Sequence, residues 1–286
     1  LTVKRRRHRL TLRGTSKTLG ERTLVMGVLN VTPDSFSDGG RFLDQATAVE
    51  HGLRLFEEGA DIVDVGGEST RPGASPVAAE EERRRVVPVV EALRRQGAGL
   101  ISIDTTKAEV ARAAIAAGAD LINDISGLGF DAGMAPLAAE LQVPLVVMHL
   151  RGSFETVHRQ PSYRDVMGEV QAELRRTLRR AADAGVAVSN IIVDPGIGFA
   201  KDAGHSLEVL ARLGELHSLG RPVLVGPSRK SFIGKTLDLP VEARIWGTAA
   251  AVAAAVLGGA HIVRVHDVLE MVQVIRVCDA LLEVSS

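Results

Sequence analysis

The amino-acid sequence predicts an α/β fold: a single (β/α)8 TIM barrel preceded by a short N-terminal hairpin. Three observations carry that prediction. Apolar, strand-like runs recur about eight times, and each ends in a polar residue at the same relative position. Each run is followed by a segment of helical periodicity or by a long loop. A weak internal repeat joins helix stop to strand start in Gly59-Ala60-Asp61-Ile62-Val63, Gly118-Ala119-Asp120-Leu121-Ile122 and Gly259-Ala260-His261-Ile262-Val263. The repeats lie 59 and 141 residues apart, matching about two and four strand–helix units of ~30–35 residues. Continuous apolar strands alternating with helices imply a parallel sheet buried on both faces, and eight units close most economically into a barrel. An open doubly wound sheet is the alternative.

The elements follow in order. A basic cluster, Lys4-Arg5-Arg6-Arg7-His8-Arg9, reads as a solvated terminal strand, with an anionic surface as its other reading. Leu10, Leu12, Leu19 and Leu24, with Gly14 and Gly20 as turn residues, suggest a hairpin extension over 1–23. The barrel then occupies 24–286 of one domain, for no linker or low-complexity stretch interrupts it. Its expected strands are 25–29 ending at Asn30, 61–65 running into Gly66, Gly67 and Glu68, 100–103 ending at Asp104, and 121–122 ending at Asn123. Further on come 145–148 ending at His149, 191–193 at Asp194, 223–225 at Gly226 and Ser228, and 262–263 at Arg264 and His266. Helical periodicity covers 44–58, 79–95, 107–117, 163–184, 241–257 and 267–284, with short helices near 134–141 and 206–213. Gly59, Gly97, Gly118, Gly185 and Gly259 mark helix stops.

Composition narrows the function. At 286 residues the chain can bury a large core without disulfides. A net charge of −1 argues against a nucleic-acid partner, while leaving room for a small anion held by local cations. The one cysteine, Cys278, excludes a disulfide framework or zinc site and reads as a buried structural thiol. The longest uncharged run, 245–260, falls short of the ~20 apolar residues of a membrane span. With no signal-peptide core either, the protein reads as cytoplasmic and free of membrane contact.

A polar residue is wasted on the tip of a packed strand unless the tips meet, and parallel barrels place their chemistry at that end. Asp104, Asn123 and Asp194 would converge inside the upper rim and offer donor and acceptor faces to a flat nitrogen heterocycle. Helix capping is their alternative, although it suits Asp124 or Asp44 better. A metal held by Asp104 and Asp194 lacks a nearby His or Glu at ligand spacing. The loop from Asn30 to Gly40 has the composition of a closing lid. Gly66-Gly67-Glu68-Ser69-Thr70-Arg71-Pro72-Gly73 sets hydroxyls and a guanidinium on the same rim, for a carboxylate or other anion, or for a surface salt bridge. Gly226-Pro227-Ser228-Arg229-Lys230-Ser231-Phe232 follows the seventh strand, where barrels often bind phosphate, and lacks P-loop spacing. Only six of the 34 basic side chains are Lys, so Lys230 on this rim carries weight. Arg264 and His266 share one strand face and can grip phosphate oxygens, with a satisfied core histidine as the other reading of His266. Aromatics are 3% of residues, yet Phe36, Phe199 and Phe232 all lie in rim loops, as though something flat packs on them.

At this point the runs from Met26 to Gly40 and from Asp64 to Gly73 closely resemble the bacterial dihydropteroate synthase family of pterin-binding enzymes. Ser102-Ile103-Asp104-Thr105, Asn123-Asp124-Ile125-Ser126-Gly127, Asp194-Pro195-Gly196-Ile197-Gly198-Phe199, Gly226 to Phe232 and Arg264-Val265-His266-Asp267 are similar to its later signatures. One departure is Leu150 in Met148-His149-Leu150-Arg151, where the family more often has Met. The resemblance implies joining of 4-aminobenzoate to (7,8-dihydropterin-6-yl)methyl diphosphate in folate biosynthesis. It implies that Asp104, Asn123, Asp194 and Lys230 hold the pterin, with Met148 and Gly226 in the substrate-binding set. Asn30 would meet Mg²⁺, Arg264 and His266 the diphosphate, with Thr70 and Arg71 contributing. Phe36, Pro72, Phe199 and Ser228 would surround 4-aminobenzoate, the site that sulfonamides mimic. Asp104, Lys230, Arg264 and His266 are the expected catalytic groups. The hairpin would plug the barrel's bottom, and later helices would form a homodimer. Two other classes share the fold. A methyltetrahydrofolate methyltransferase domain needs no diphosphate grip, and a sugar-phosphate aldolase wants a Schiff-base lysine within a strand.

Overall fold

Period-two alternation along eight short strands builds this molecule. A computed structural model gives the fold, and its described residues are 5–12, 14–32, 41–69, 75–153, 156 and 162–284. The barrel strands are β3 (Leu24–Asn30), β4 (Ile62–Gly66), β5 (Leu100–Asp104), β6 (Leu121–Asp124), β7 (Leu145–Met148), β8 (Ile191–Asp194), β9 (Leu224–Val225) and β10 (Ile262–Val265). They pair in parallel in the order β8-β7-β6-β5-β4-β3-β10-β9. A bridge from Val193 to Val223 joins the two ends, where the Val193 N–H donates to the Pro222 carbonyl at 3.0 Å. The sheet is therefore a barrel, not an open one.

Alternation then sorts the side chains. Leu24, Met26, Ile62, Leu121, Val146, Ile192, Leu224 and Ile262 point inward and fill the lower barrel as one apolar cluster. Their neighbours Val63, Val65, Ile101, Ile103, Ile122, Val147, Val193, Val225 and Val263 point outward into the larger core beneath the helices. Strands β1 (His8–Leu12) and β2 (Thr15–Leu19) form the expected antiparallel hairpin, turning at Gly14 with φ of 74°. Leu10 and Leu19 from its inner face join the lower cluster and stop the barrel's bottom. The Thr11 N–H donates to the Asn190 side chain at 2.9 Å, which ties the hairpin to the start of β8.

The helices are α1 (Arg41–Glu57), α2 (Ala79–Arg95), α3 (Ala108–Ala117), α4 (Met134–Leu141), α5 (Val166–Asp183), α6 (Ala203–Ala211), α7 (Ser231–Leu237), α8 (Ile245–Leu257) and α9 (Val268–Val284). Each buries one stripe: on α5, Val166, Met167, Val170, Leu174, Thr177 and Ala181 recur at three- and four-residue steps. Two expectations change. The segment expected as one helix over 241–257 opens with a separate 3₁₀ turn, Val241–Ala243, behind Pro240 before α8 begins. Helix α7 was not expected, because at seven residues it is too short to show periodicity. Cys278 is buried and unpaired on α9, as expected. Among the described residues no helix is long and apolar enough to cross a membrane.

Candidate functional site at the carboxyl end of the barrel

Above the apolar plug, the inward positions turn polar. Register puts Asn30, Gly66, Asp104 and Asn123 opposite one another across β3, β4, β5 and β6, with Asp64 and Ser102 one inward step below. Met148 lies opposite Asp194 across β7 and β8. Arg264 enters this ring from β10. Its Nε donates to Asp64 Oδ2 at 2.6 Å and its Nη2 to Asp104 Oδ2 at 2.8 Å. Asn123 Nδ2 donates to the same Asp64 oxygen at 2.9 Å, which leaves the Asn123 carbonyl as its spare acceptor. Gly226 borders Arg264, whose Cβ would lie an ordinary 3.7 Å from a Cβ built there, so packing at this point does not itself require glycine.

The charges in this ring set one another's protonation. Burial pushes the Asp104 carboxyl up to about 7, with Arg264 opposing and Asp64 adding to the rise. Burial also raises Asp194, partly offset by Lys230 and by the Gly196 N–H that donates to Asp194 Oδ1 at 2.7 Å. The Lys230 ammonium is pushed down to about 8 by burial, while Asp194 pulls the other way. Burial works against charge on Arg264, but Asp64 and Asp104 together hold it above the ordinary arginine value. The site is thus a set of unlike charges sharing one desolvated cup, poised near neutrality. Among the described residues Asp64 Oδ1 and Ser102 Oγ are buried there without a hydrogen-bond partner, so the cup retains unspent polar capacity.

Two loops finish the rim. After β8, Gly196 and Gly198 adopt left-handed φ of 68° and 78°, folding the loop so that Phe199 lies under Lys230, with Nζ 4.1 Å from the ring centroid. Lys230 Nζ also donates to the Ile197 carbonyl. After β9, Ser228 Oγ accepts from the His266 N–H at 3.2 Å and lies 3.0 Å from its Nδ1, so these two act as a pair. Arg229, itself at φ of 57°, pins this loop outward by pairing with Asp267.

Of the expected site residues, Asp104, Asn123, Asp194, Lys230, Arg264, His266, Ser228, Gly226, Phe199, Met148 and Asn30 all stand at this end of the barrel. Capping does not account for Asp104 or Asn123, which hydrogen-bond across strands instead. Nor does it account for Asp124, which accepts from the Ser126 and Leu128 N–H groups at 2.8 and 2.9 Å in the turn after β6, well before α4 begins at Met134. Phe232 is buried in the helical core, so it is a packing residue and not a rim surface. Phe36, Thr70, Arg71 and Pro72 lie outside the described residues, as does most of the expected lid.

Several participants were not foreseen. Asp64 is the hub of the ring, and its signal was available: a carboxylate inside Ile62-Val63-Asp64-Val65, in a strand buried on both faces. Lys107 pairs with buried Glu82 at 2.6 Å and with Glu68 at 3.0 Å, anchoring the stem of the second loop. Buried Lys201 and half-buried Glu173 join the foreseen strand tip His149 in a further chain behind the β8 loop. No spacing rule connects residues so far apart in sequence.

Comparison with known proteins agrees with this geometry. The family described as pterin binding enzyme matches residues 26–266. The dihydropteroate synthase of Synechocystis sp. is 50% identical over 263 residues, covering 92% of this chain and 91% of its own length. That of Escherichia coli K12 is 46% identical over 258 residues, covering 90% and 91%. The solved structure of Xanthomonas albilineans dihydropteroate synthase with 4-aminobenzoic acid superposes with a TM-score of 0.90 at 46% identity, covering 96% of this chain and 98% of that one. The same organism's enzyme in complex with 7,8-dihydropteroate gives 0.86 at 44% identity, with the same coverage. This chain belongs to the pterin-binding enzyme family, and within it to the dihydropteroate synthases.

Proposed function

We propose that this chain condenses (7,8-dihydropterin-6-yl)methyl diphosphate with 4-aminobenzoate, forming 7,8-dihydropteroate and releasing diphosphate. The observation that supports it most directly is the single cup in which Arg264 joins Asp64 and Asp104 while Lys230 neighbours Asp194. Asn123, Asp104 and Asp194 present an amide and two carboxyls, a set suited to the N–H and C=O edges of a pterin. In the reaction the methylene carbon–oxygen bond breaks, and its electron pair leaves with the diphosphate. The aniline nitrogen then bonds to that carbon and loses a proton. Positive charge develops on the pterin side, where anionic Asp104 stabilises it. Negative charge develops on the diphosphate, where Arg264 and the His266–Ser228 pair stand ready to donate. Lys230, resting on Phe199 and Ile197, is placed to turn toward the pterin carbonyl.

The implied Mg²⁺ has a modest protein site. The described residues hold no group of three or more His, Cys, Asp or Glu side chains able to bind a metal. The Asn30 amide oxygen at the tip of β3 is a hard donor of the right kind, and a Mg²⁺ ion can draw its other ligands from diphosphate and water. When bound, the ion would neutralise charge on the leaving group. A homodimer is part of the same proposal, supported by exposed apolar side chains on α8 and α9 (Trp246, Leu269 and Val277).

The test is direct. Purified protein is incubated with Mg²⁺, the pterin diphosphate and labelled 4-aminobenzoate, with and without chelator, and labelled dihydropteroate is measured. Product that forms only with Mg²⁺ is the expected result. Binding of both substrates without product would overturn the assignment.

A further inference from the structure

The buried lysine of the β8–α6 loop plays no part in the chemistry above. Lys201 is 5% exposed, yet among the described residues its Nζ hydrogen-bonds neutral groups: His149 Nδ1 at 2.9 Å, the Gly196 carbonyl at 3.1 Å and the Phe199 carbonyl at 3.2 Å. Burial pushes the Lys201 ammonium down to about 7, with Asp194 opposing, and in its protonated form its three N–H donors are met by these three acceptors. For Nδ1 of His149 to accept, its proton must sit on Nε2, which faces Glu173 Oε2 at 2.9 Å. Burial lowers the His149 pKa to about 4, in keeping with the neutral ring this tautomer requires. Glu173 is itself held by Arg151, whose Nε donates at 3.1 Å. A chain of contacts therefore runs from α5 to the underside of the rim loop.

The loop needs such a support. Residues 196, 198 and 200 all take left-handed φ, the last of them an alanine at 46°. This winding turns the Gly196 and Phe199 carbonyls toward Lys201 and the Ala200 carbonyl to Tyr163, whose hydroxyl donates at 2.9 Å. A Cβ on Gly196 would overlap the His149 carbonyl oxygen, so the loop also packs hard against β7. Unshared, those converging carbonyls would repel one another. Methionine would fill the same volume without the penalty of burying an ammonium, so packing alone does not explain lysine here.

We infer that Lys201 is a positioning residue, an internal hydrogen-bond donor around which the β8–α6 loop is wound so that Asp194, Ile197 and Phe199 meet substrate and Lys230 at the cup. The inference rests on the proposed synthase reading, since it concerns the same site. Its test is Lys201→Met, with thermal melting, equilibrium binding of a dihydropterin, and steady-state kinetics. A loop displaced by about 1 Å should lower kcat/KM by about 100-fold, with KM and the dihydropterin Kd each raised about tenfold and Tm lowered, since buried carbonyls lose their donor. A merely structural lysine would reduce the amount of folded enzyme, lowering Tm and apparent kcat while KM and Kd stay the same. KM and Kd within about twofold of the wild type would therefore overturn the inference. Should Lys201→Met fail to fold, His149→Ala, which removes one acceptor and leaves the lysine, carries the same readout: raised KM sustains the inference and unchanged KM ends it. Wild-type protein that neither binds dihydropterin nor forms product would instead strike the synthase reading itself.

Discussion

Asp104→Asn should make the protein more stable at pH 8 while removing most of its activity. Burial in the cup carries the Asp104 carboxyl from an ordinary value of 3.8 to about 7, with Arg264 opposing and Asp64, Glu82 and Asp124 adding. In the unfolded chain the same group ionises near its ordinary value. Its contribution to stability is therefore fully present below pH 3.8 and is lost as pH rises through about 7. The difference corresponds to about 4 kcal/mol at most. Asn keeps the shape and a carbonyl oxygen for Arg264 but never ionises, so it escapes that loss. For a chain of this size the gain amounts to roughly 10 °C in Tm at pH 8, dwindling toward zero near pH 4. Activity should move the other way: removing the anion that faces the developing cation costs about 10²–10³ in kcat, with a smaller change in pterin KM. The wild-type rate should rise through pH 7 as Asp104 ionises, and the variant should lack that limb. Urea denaturation at pH 4.5 and pH 8, with kinetics at both, makes the comparison. Equal stability at pH 8, or unchanged kcat with only a raised KM, would refute the electrostatic role.

Three further outcomes follow from the same contacts. Arg264→Ala leaves Asp64 and Asp104 facing each other and should destabilise the fold by about 3–5 kcal/mol. It should also weaken the pterin diphosphate far more than the dihydropterin alcohol, and equal losses measured by calorimetry would mean that Arg264 does not bind the diphosphate. Asp64→Asn removes the charge that holds both Arg264 and Asn123, a loss of about 1.5–3 kcal/mol that should appear as a 10–100-fold fall in kcat/KM. A change within about threefold would show that Asp64 does not organise the ring. Finally, burial lowers His149 and His261 to about 4 each, so both favour the neutral ring in the folded state. That stability is present above pH 6.5 and lost as pH falls toward 4, at about 3 kcal/mol for each. Asp104 contributes the opposite slope over the same range, so the check compares wild type with His261→Gln, and equal pH slopes in the two would contradict the assigned burial.

Much of this was legible along the chain because it depends on local rules. Strand and helix periods, with glycines closing the helices at 59, 118, 185 and 259, are written into consecutive residues, and each strand tip names its own polar side chain. Asp104, Asn123, Asp194 and Arg264 could be picked out singly for that reason. The seven-residue helix α7 escaped because two turns are too few to reveal a period, and the three-residue 3₁₀ turn before α8 escaped for the same reason.

Which polar tips would touch was a different question. The sequence by itself determined a barrel, the order of its strands in the chain, and the kinds of side chain at its mouth, since backbone propensity and alternation act over a few residues. Only the tertiary structure decided that Arg264 reaches back 200 residues to Asp64, that Asn123 shares the same oxygen, and that Lys201 takes its acceptors from His149 and its own loop. Those choices depend on strand register and barrel closure, which bring distant residues within hydrogen-bonding distance, and on the removal of water, which makes each buried charge depend on its neighbours.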